Sequence, residues 1–291
     1  MSGARGRDRF AAYAFVAPFL VAYTFFLIYP LFKGIGLSFH RADLFGARTF
    51  VGLDNYARLM ADPVFHQSVL NTFKLALLIV PTLTVIALAL ALALNQASKR
   101  AAVLRGVFFS SSVLSVTIVT LIWRFILTPD AGLVAELLEG FGAEPIPFLS
   151  HPDLTIPALT IATIWWSIGL PMMLFLAGLQ QIPEDVYEAA ALDRASRWTT
   201  FRRVTLPALR RTVLLVVMLQ TAAQLQIFGQ AQLLTAGGPS GASRPIVLFI
   251  YEVSFGRWEL GYASAAAEML FLLILALTFV QYWTLMRKKE A

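Results

Sequence analysis

The sequence has no cysteine, which removes disulfides, thiolate nucleophiles and cysteine metal sites from consideration. It is also short of charge. Asp, Glu, Lys and Arg make up 14% of residues, against roughly a quarter in soluble domains. Its three histidines, His40, His66 and His151, are too scattered to assemble a metal site. No G-x-x-x-x-G-K-[ST] occurs, so the chain has no phosphate-cradling loop of its own. No nucleophile, base and orienting group fall into a catalytic pattern, and catalysis by this polypeptide is not expected. Low-complexity linkers and a second soluble domain are absent as well.

What abounds is apolar sequence: 58% of residues are hydrophobic and the mean hydropathy is +0.71. Residues 75–94, 156–179 and 212–234 carry no charge. Each is long enough for a hydrocarbon core that takes about 20 residues of helix. Residues 10–37 are interrupted only by Lys33, 107–127 only by Arg124, and 262–286 only by Glu268. The expectation is an all-α membrane protein with six transmembrane helices in one domain, 1–291. The spans run approximately over 10–37, 72–95, 105–127, 156–179, 211–234 and 262–286. The first apolar stretch exceeds the ~7–15 residues of a signal-peptide core and no small-residue cleavage site follows, so it reads as a retained helix.

Basic residues orient the spans. With both termini inside, 15 of the 23 Lys and Arg residues fall on the inner side. They include Arg5, Arg7 and Arg9, the six arginines between Arg194 and Arg211, and Arg287, Lys288 and Lys289. The net charge of +6 and the pI near 9.8 thus reflect topology rather than nucleic-acid binding. In the first outer loop Asp54 is expected to cap a short helix and Pro63 to start another. In the third, "TAGGPSGASRP" demands a turn.

The inner segment "EDVYEAAALDRASRWTTFRRVTLP", residues 184–207, is unlike the rest. Pro183 suits a first helical turn, and Glu184 and Asp185 complement the positive end of a helix dipole. Ala189, Ala190 and Ala191 favour helix. Ser196 can cap a second helix over 197–205, and Pro207 lets the chain turn into the fifth span. Two uses fit such an elbow. Its small side chains and flanking carboxylates suit close docking of another protein, and its arginines suit an anionic membrane surface.

Polar groups inside the spans are the other candidates. Gln220, Gln224, Gln226, Gln230 and Gln232 make the fifth span the most polar. Gln220 and Gln224 share one helix face, and Gln226 and Gln230 another. Amides at membrane depth either bond neighbouring helices or line a path for a hydroxyl-rich solute. Glu268 is an intramembrane ionisable group, read as a site residue or as one that snorkels. Trp165 and Trp166 either stack on a solute in a path or anchor their helix, and Gly169 and Pro171 suggest a kink. Hydroxyls of Ser110, Ser111 and Ser112 are expected to bond backbone or neighbouring helices.

"EAAALD" followed by "LP" resembles the EAA loop of ABC importer permeases, and the stretch from "LAGLQQIPEDVYEAAALD" to "TLPAL" resembles the sugar-type members. So do "FVGLDNY", "LLTAGGP" and "FGRWELGYASAAAEML", in the family's order along nearly the whole chain. The resemblance implies a MetI-like fold and a permease subunit of a binding-protein-dependent carbohydrate importer. It implies a cytoplasmic coupling loop over 180–210, with Glu188 and Asp193 as salt-bridging groups and Ala189 and Ala190 as the close-packing surface. Pro207 would close the motif. Implied partners are a second permease, two ATP-binding subunits that hold ATP and Mg, an extracytoplasmic sugar-binding protein and membrane lipid. The substrate path would draw on Gln220, Gln224, Gln230, Glu268 and Trp166. The location implied is a bacterial inner membrane. One position departs from the pattern: Arg194 stands where the family has glycine. Either the bend is made at Ala195–Ser196, or the loop presents an extra cation. The rival from outside the family is a secondary carrier driven by an ion gradient, which needs a coupling-ion site and often an internal repeat.

Overall fold

A computed structural model describes residues 2–43, 45–129 and 131–286, with side chains between Tyr13 and Thr284. The basic side chains Arg5, Arg7, Arg9, Arg287, Lys288 and Lys289 lie outside the described part. Along the chain, α1 (Ser2–Tyr23) and α2 (Tyr29–Ser38) are joined by a π-helical turn. A hairpin of β1 (His40–Ala42) and β2 (Arg48–Phe50) follows, then α3 (Asp54–Ala61) and α4 (Pro63–Leu94). Next come α5 (Lys99–Ser111), α6 (Val116–Leu127), α7 (Leu133–Gly140), α8 (Pro152–Ser167) and α9 (Gly169–Gln180). The elbow holds α10 (Glu184–Leu192), α11 (Arg197–Thr200) and α12 (Leu206–Ala208). Last are α13 (Arg210–Leu225), α14 (Ile246–Tyr251) and α15 (Leu260–Met286). The hairpin adds a little strand to the expected all-helical fold. Three-residue strands are too short to show an alternating period.

Three segments are long and apolar enough to cross a membrane unbroken: Tyr13–Ser38, Pro63–Leu94 and Leu260–Thr284. Three bent pairs bring the number to six if each pair is one span. The pairs are α5 with α6 at 96°, α8 with α9 at 49°, and the elbow's second arm with α13 at 65°. Two sequence expectations change accordingly. The third span is not straight, because serines around residues 110–115 redirect the backbone. Ser110 and Ser111 donate to the carbonyls of Val107 and Phe108, and Ser115 restarts the helix by accepting from Ile118 N–H. The helix of the fifth span ends at Leu225, so Gln226 and Gln230 do not share a helix face.

The chain resolves into two compact units, one of residues 1–62 and 250–271, the other of 63–249 and 272–291. In the larger unit α4 packs against α8, α9 and α13 around Leu75, Ile79, Leu83, Met172, Phe175 and Val216, all fully buried. The break between α8 and α9 falls at the Gly169 kink expected from sequence. A Cβ there would sit 2.7 Å from the Phe109 Cα and 2.9 Å from the Phe108 carbonyl oxygen, so glycine permits α5 to approach. The "TAGGPSGASRP" turn is held by α4. The Asn71 amide donates to the carbonyls of Gly241 (2.8 Å) and Arg244 (3.1 Å), and Ile246 N–H donates to the Thr72 hydroxyl. The stretch expected to be the third outer loop is not all loop, since it contains α14.

In the smaller unit the "FVGLDNY" residues fasten α3 to the end of α2. Asn55 donates to the carbonyls of Ser38 and His40, and Tyr56 to the Ser38 hydroxyl. Asp54 is the first residue of α3 rather than its cap, which is Leu53. Its carboxylate still lies at the positive end of the helix. Pro63 begins α4 as expected. The "GRWELGY" residues pack here too. Arg58 makes a two-pronged ion pair with Glu259 (2.5 and 3.2 Å) that holds its guanidinium pKa above the usual value. It also lies 4.1 Å from the Tyr262 ring centroid, and Tyr262 donates to Asp62. None of the apolar window of the first span is buried.

Candidate functional site

The elbow begins at Pro183, which stands just before α10 rather than in its first turn. α10 buries no residue. Glu188, Ala189, Asp193 and Arg194 are exposed and Ala190 is half-buried. Leu192, the last residue of α10, is 85% exposed. Arg194 itself makes the bend, at φ +52°, so the turn is not at Ala195–Ser196. Arg194 N–H bonds the Ala191 carbonyl and Ala195 N–H the Ala190 carbonyl, both at 3.0 Å. That is the Schellman closure of a helix, with arginine in the left-handed position that glycine usually fills. The guanidinium is therefore also presented at the surface.

The second arm starts where the sequence indicated. The Ser196 hydroxyl accepts from Thr199 N–H at 3.2 Å. The arm stays helical through Pro207, because residues Phe201–Thr205 adopt a wider π turn that makes room for the ring. The change of direction comes at buried Leu209. The Tyr187 hydroxyl and the Thr205 hydroxyl, 3.2 Å apart, tie the two arms together.

The polar residues of the spans are sorted by their bonds. Gln220 and Gln224 are buried on one face of α13, and Gln224 Nε2 donates to Gln220 Oε1 at 3.2 Å. That single bond leaves the Gln220 nitrogen and the Gln224 oxygen without a protein partner among the described residues. Gln226 is exposed and turns back on the Ala222 carbonyl. Gln230 is buried one break further on. Trp166 is engaged structurally: its indole N–H donates to the Leu114 carbonyl at 3.0 Å, and its own carbonyl accepts from Ser112. The first bond satisfies backbone at the α5–α6 bend, a pairing sequence reasoning had no means to see; the second satisfies backbone in α8 and is of the serine-to-backbone kind expected from sequence. Trp165 meets Trp123 edge-on. Glu268 is half-buried in the part of α15 that belongs to the smaller unit, with Oε1 close to Gly34, and forms no ion pair among the described residues.

Comparison with known proteins identifies the assembly of features. Residues 84–289 match the family described as binding-protein-dependent transport system inner membrane component. The chain belongs to this family. It is thus a transport component of the ABC permease kind and a multi-pass membrane protein. Relatives of this inner membrane component cover nearly its whole length. The probable ABC transporter permease protein YurN of Bacillus subtilis (strain 168) is 31% identical over 94% of this chain and 96% of its own. The trehalose/maltose transport system permease protein MalF of Thermococcus litoralis is 32% identical over 94% of this chain and 93% of its own. The fold is that of a chain in the crystal structure of a bacterial ABC transporter involved in import of the acidic polysaccharide alginate, with a TM-score of 0.87 and 22% identity over 100% of both chains. These matches bear out the MetI-like, six-span fold class.

Proposed function

We propose that this inner membrane component is the permease subunit of an ATP-driven carbohydrate importer. It lies in a bacterial inner membrane with both termini cytoplasmic, as one permease domain whose spans follow the six helical segments. The observation that carries the reading is the elbow. α10 offers small and acidic side chains and buries none of its residues. An ATP-binding subunit docked there would find Glu188 and Asp193 for charge-assisted bonds and Ala189 and Ala190 for close approach, with Arg194 presented beside them. ATP and magnesium would be held by two such subunits, and their closure would move the helices as rigid bodies. A second permease and an extracytoplasmic sugar receptor complete the assembly. Sugar-named relatives such as the trehalose/maltose permease and the lactose transport system permease protein LacF of Rhizobium radiobacter, 30% identical, support the substrate class. Within the path, the free amide groups of Gln220 and Gln224 suit hydroxyl ligands, with Gln230, Trp166 and Glu268 as further contributors.

The test is uptake into vesicles reconstituted with the chain, its sister permease, the ATPase and the receptor. Sugar uptake is expected to need receptor and nucleotide and to stop with vanadate. Uptake by this chain unaided, on an ion gradient, would overturn the proposal and favour a secondary carrier.

A further inference from the structure

The two arms of the elbow carry opposite charge. α10 and its cap hold Glu184, Asp185, Glu188 and Asp193 and no base. The arm beyond Arg194, up to Ala208, holds Arg197, Arg202 and Arg203 and no acid. None of these three arginines has an ion-pair partner among the described residues. A docking surface for one acidic-seeking partner needs only the first arm. The second arm has another physical character.

Between the arms runs a groove of about 630 Å³. Its walls are Tyr187, Ala191, Ala195, Trp198 and Phe201, and it reaches Leu92 in the last turn of α4, with Arg197 at its edge. Trp198 is 67% exposed, tilted on Phe201 with ring centroids 5.6 Å apart. Its indole N–H has no protein partner among the described residues. An aromatic with a free polar tip, an apolar slot and unpaired arginines at the end of a span are what the inner headgroup layer selects.

We propose that this groove seats an acyl chain of an anionic glycerophospholipid of the inner leaflet, with Arg197, at the groove's edge, at its phosphate, and with Arg202 and Arg203 on the same arm adding to the attraction for the anionic surface. Charge complementarity favours this occupant over the ATP-binding subunit, whose surface is addressed by the acidic arm. The idea rests on the orientation given under Proposed function. It gives the elbow a protein-facing arm and a lipid-facing arm, so a push on the first pivots against the second.

The test reads lipid, not transport, so its failure is separable from failure of the importer assignment. The full chain is placed in nanodiscs with brominated phosphatidylglycerol or brominated phosphatidylcholine at equal mole fraction. Trp198 is one of six tryptophans, and its emission is isolated by subtracting that of Trp198→Phe. Each arginine near an anionic surface favours it about fivefold, so phosphatidylglycerol should quench Trp198 with at least about tenfold higher apparent affinity. Arg197→Gln, Arg202→Gln and Arg203→Gln together should abolish that preference, and the matching lysine variant should keep it, which separates charge from misfolding. High salt should weaken it. Equal quenching by the two lipids would refute the anionic site. Quenching relieved by the added ATP-binding subunit would refute it too, and assign the groove to that protein.

Discussion

Replacing Arg194 by glycine isolates the strain in the elbow. At φ +52° a residue with a Cβ pays roughly 1–2 kcal/mol, whereas glycine pays none of it. Glycine loses about 0.5–1 kcal/mol more conformational entropy on folding than alanine. Arg194 also sits at the negative end of α10, where a cation contributes about 0.3–1 kcal/mol that any neutral residue forfeits. The clean comparison is therefore Arg194→Gly against Arg194→Ala, which lose the charge equally. Glycine should close the turn more firmly by ~0.5–1 kcal/mol, about two- to fivefold in the opening equilibrium. The assay is hydrogen exchange of the Arg194 and Ala195 amides, whose bonds to Ala191 and Ala190 define the closure, in the full chain in nanodiscs. If the alanine variant is protected as well as the glycine variant, the left-handed turn is not where the strain resides and the argument fails.

Three further outcomes are expected. Gly169→Ala forces a Cβ onto the backbone of Phe108 and Phe109 and should destabilise the chain by about 1–3 kcal/mol, read as a lower unfolding midpoint. Gly106→Ala, with nothing within 4 Å, should not destabilise it. Ala190→Trp should leave insertion intact but overpack the docking face by about 1–3 kcal/mol, lowering vesicle uptake tenfold or more; unchanged uptake would remove Ala190 from the coupling surface. Gln224→Ala removes one amide contact worth about 0.5–1.5 kcal/mol. It should raise the half-saturating sugar concentration about three- to tenfold, while Gln226→Ala, whose amide is bonded to Ala222, should not.

The spans and the elbow were legible because they are written in composition and in local chemistry. Charge-free runs mark helices, Ser196 caps, and Gly169 kinks. The bend between α5 and α6 was not, since hydropathy averages over direction and four serines barely lower it. The fifth span misled for the same reason: residues 226–234 remain apolar enough to extend the run although the helix has already ended at Leu225. The role of Trp166 was hidden because its bond to Leu114 joins positions 52 residues apart. Arg194 misdirected in a different way. Its side chain argued for a bend elsewhere, yet the backbone bonds of α10's last turn outweigh its own conformational preference.

The uncovered first helix has a practical consequence. With no native thiol anywhere in the chain, one cysteine placed at Phe15 or Phe26, both open to the surroundings, gives a background-free reporter. Cross-linking to a neighbouring polypeptide or modification only by membrane-permeant reagents would then tell whether that helix is sheathed by its sister or bathed in acyl chains.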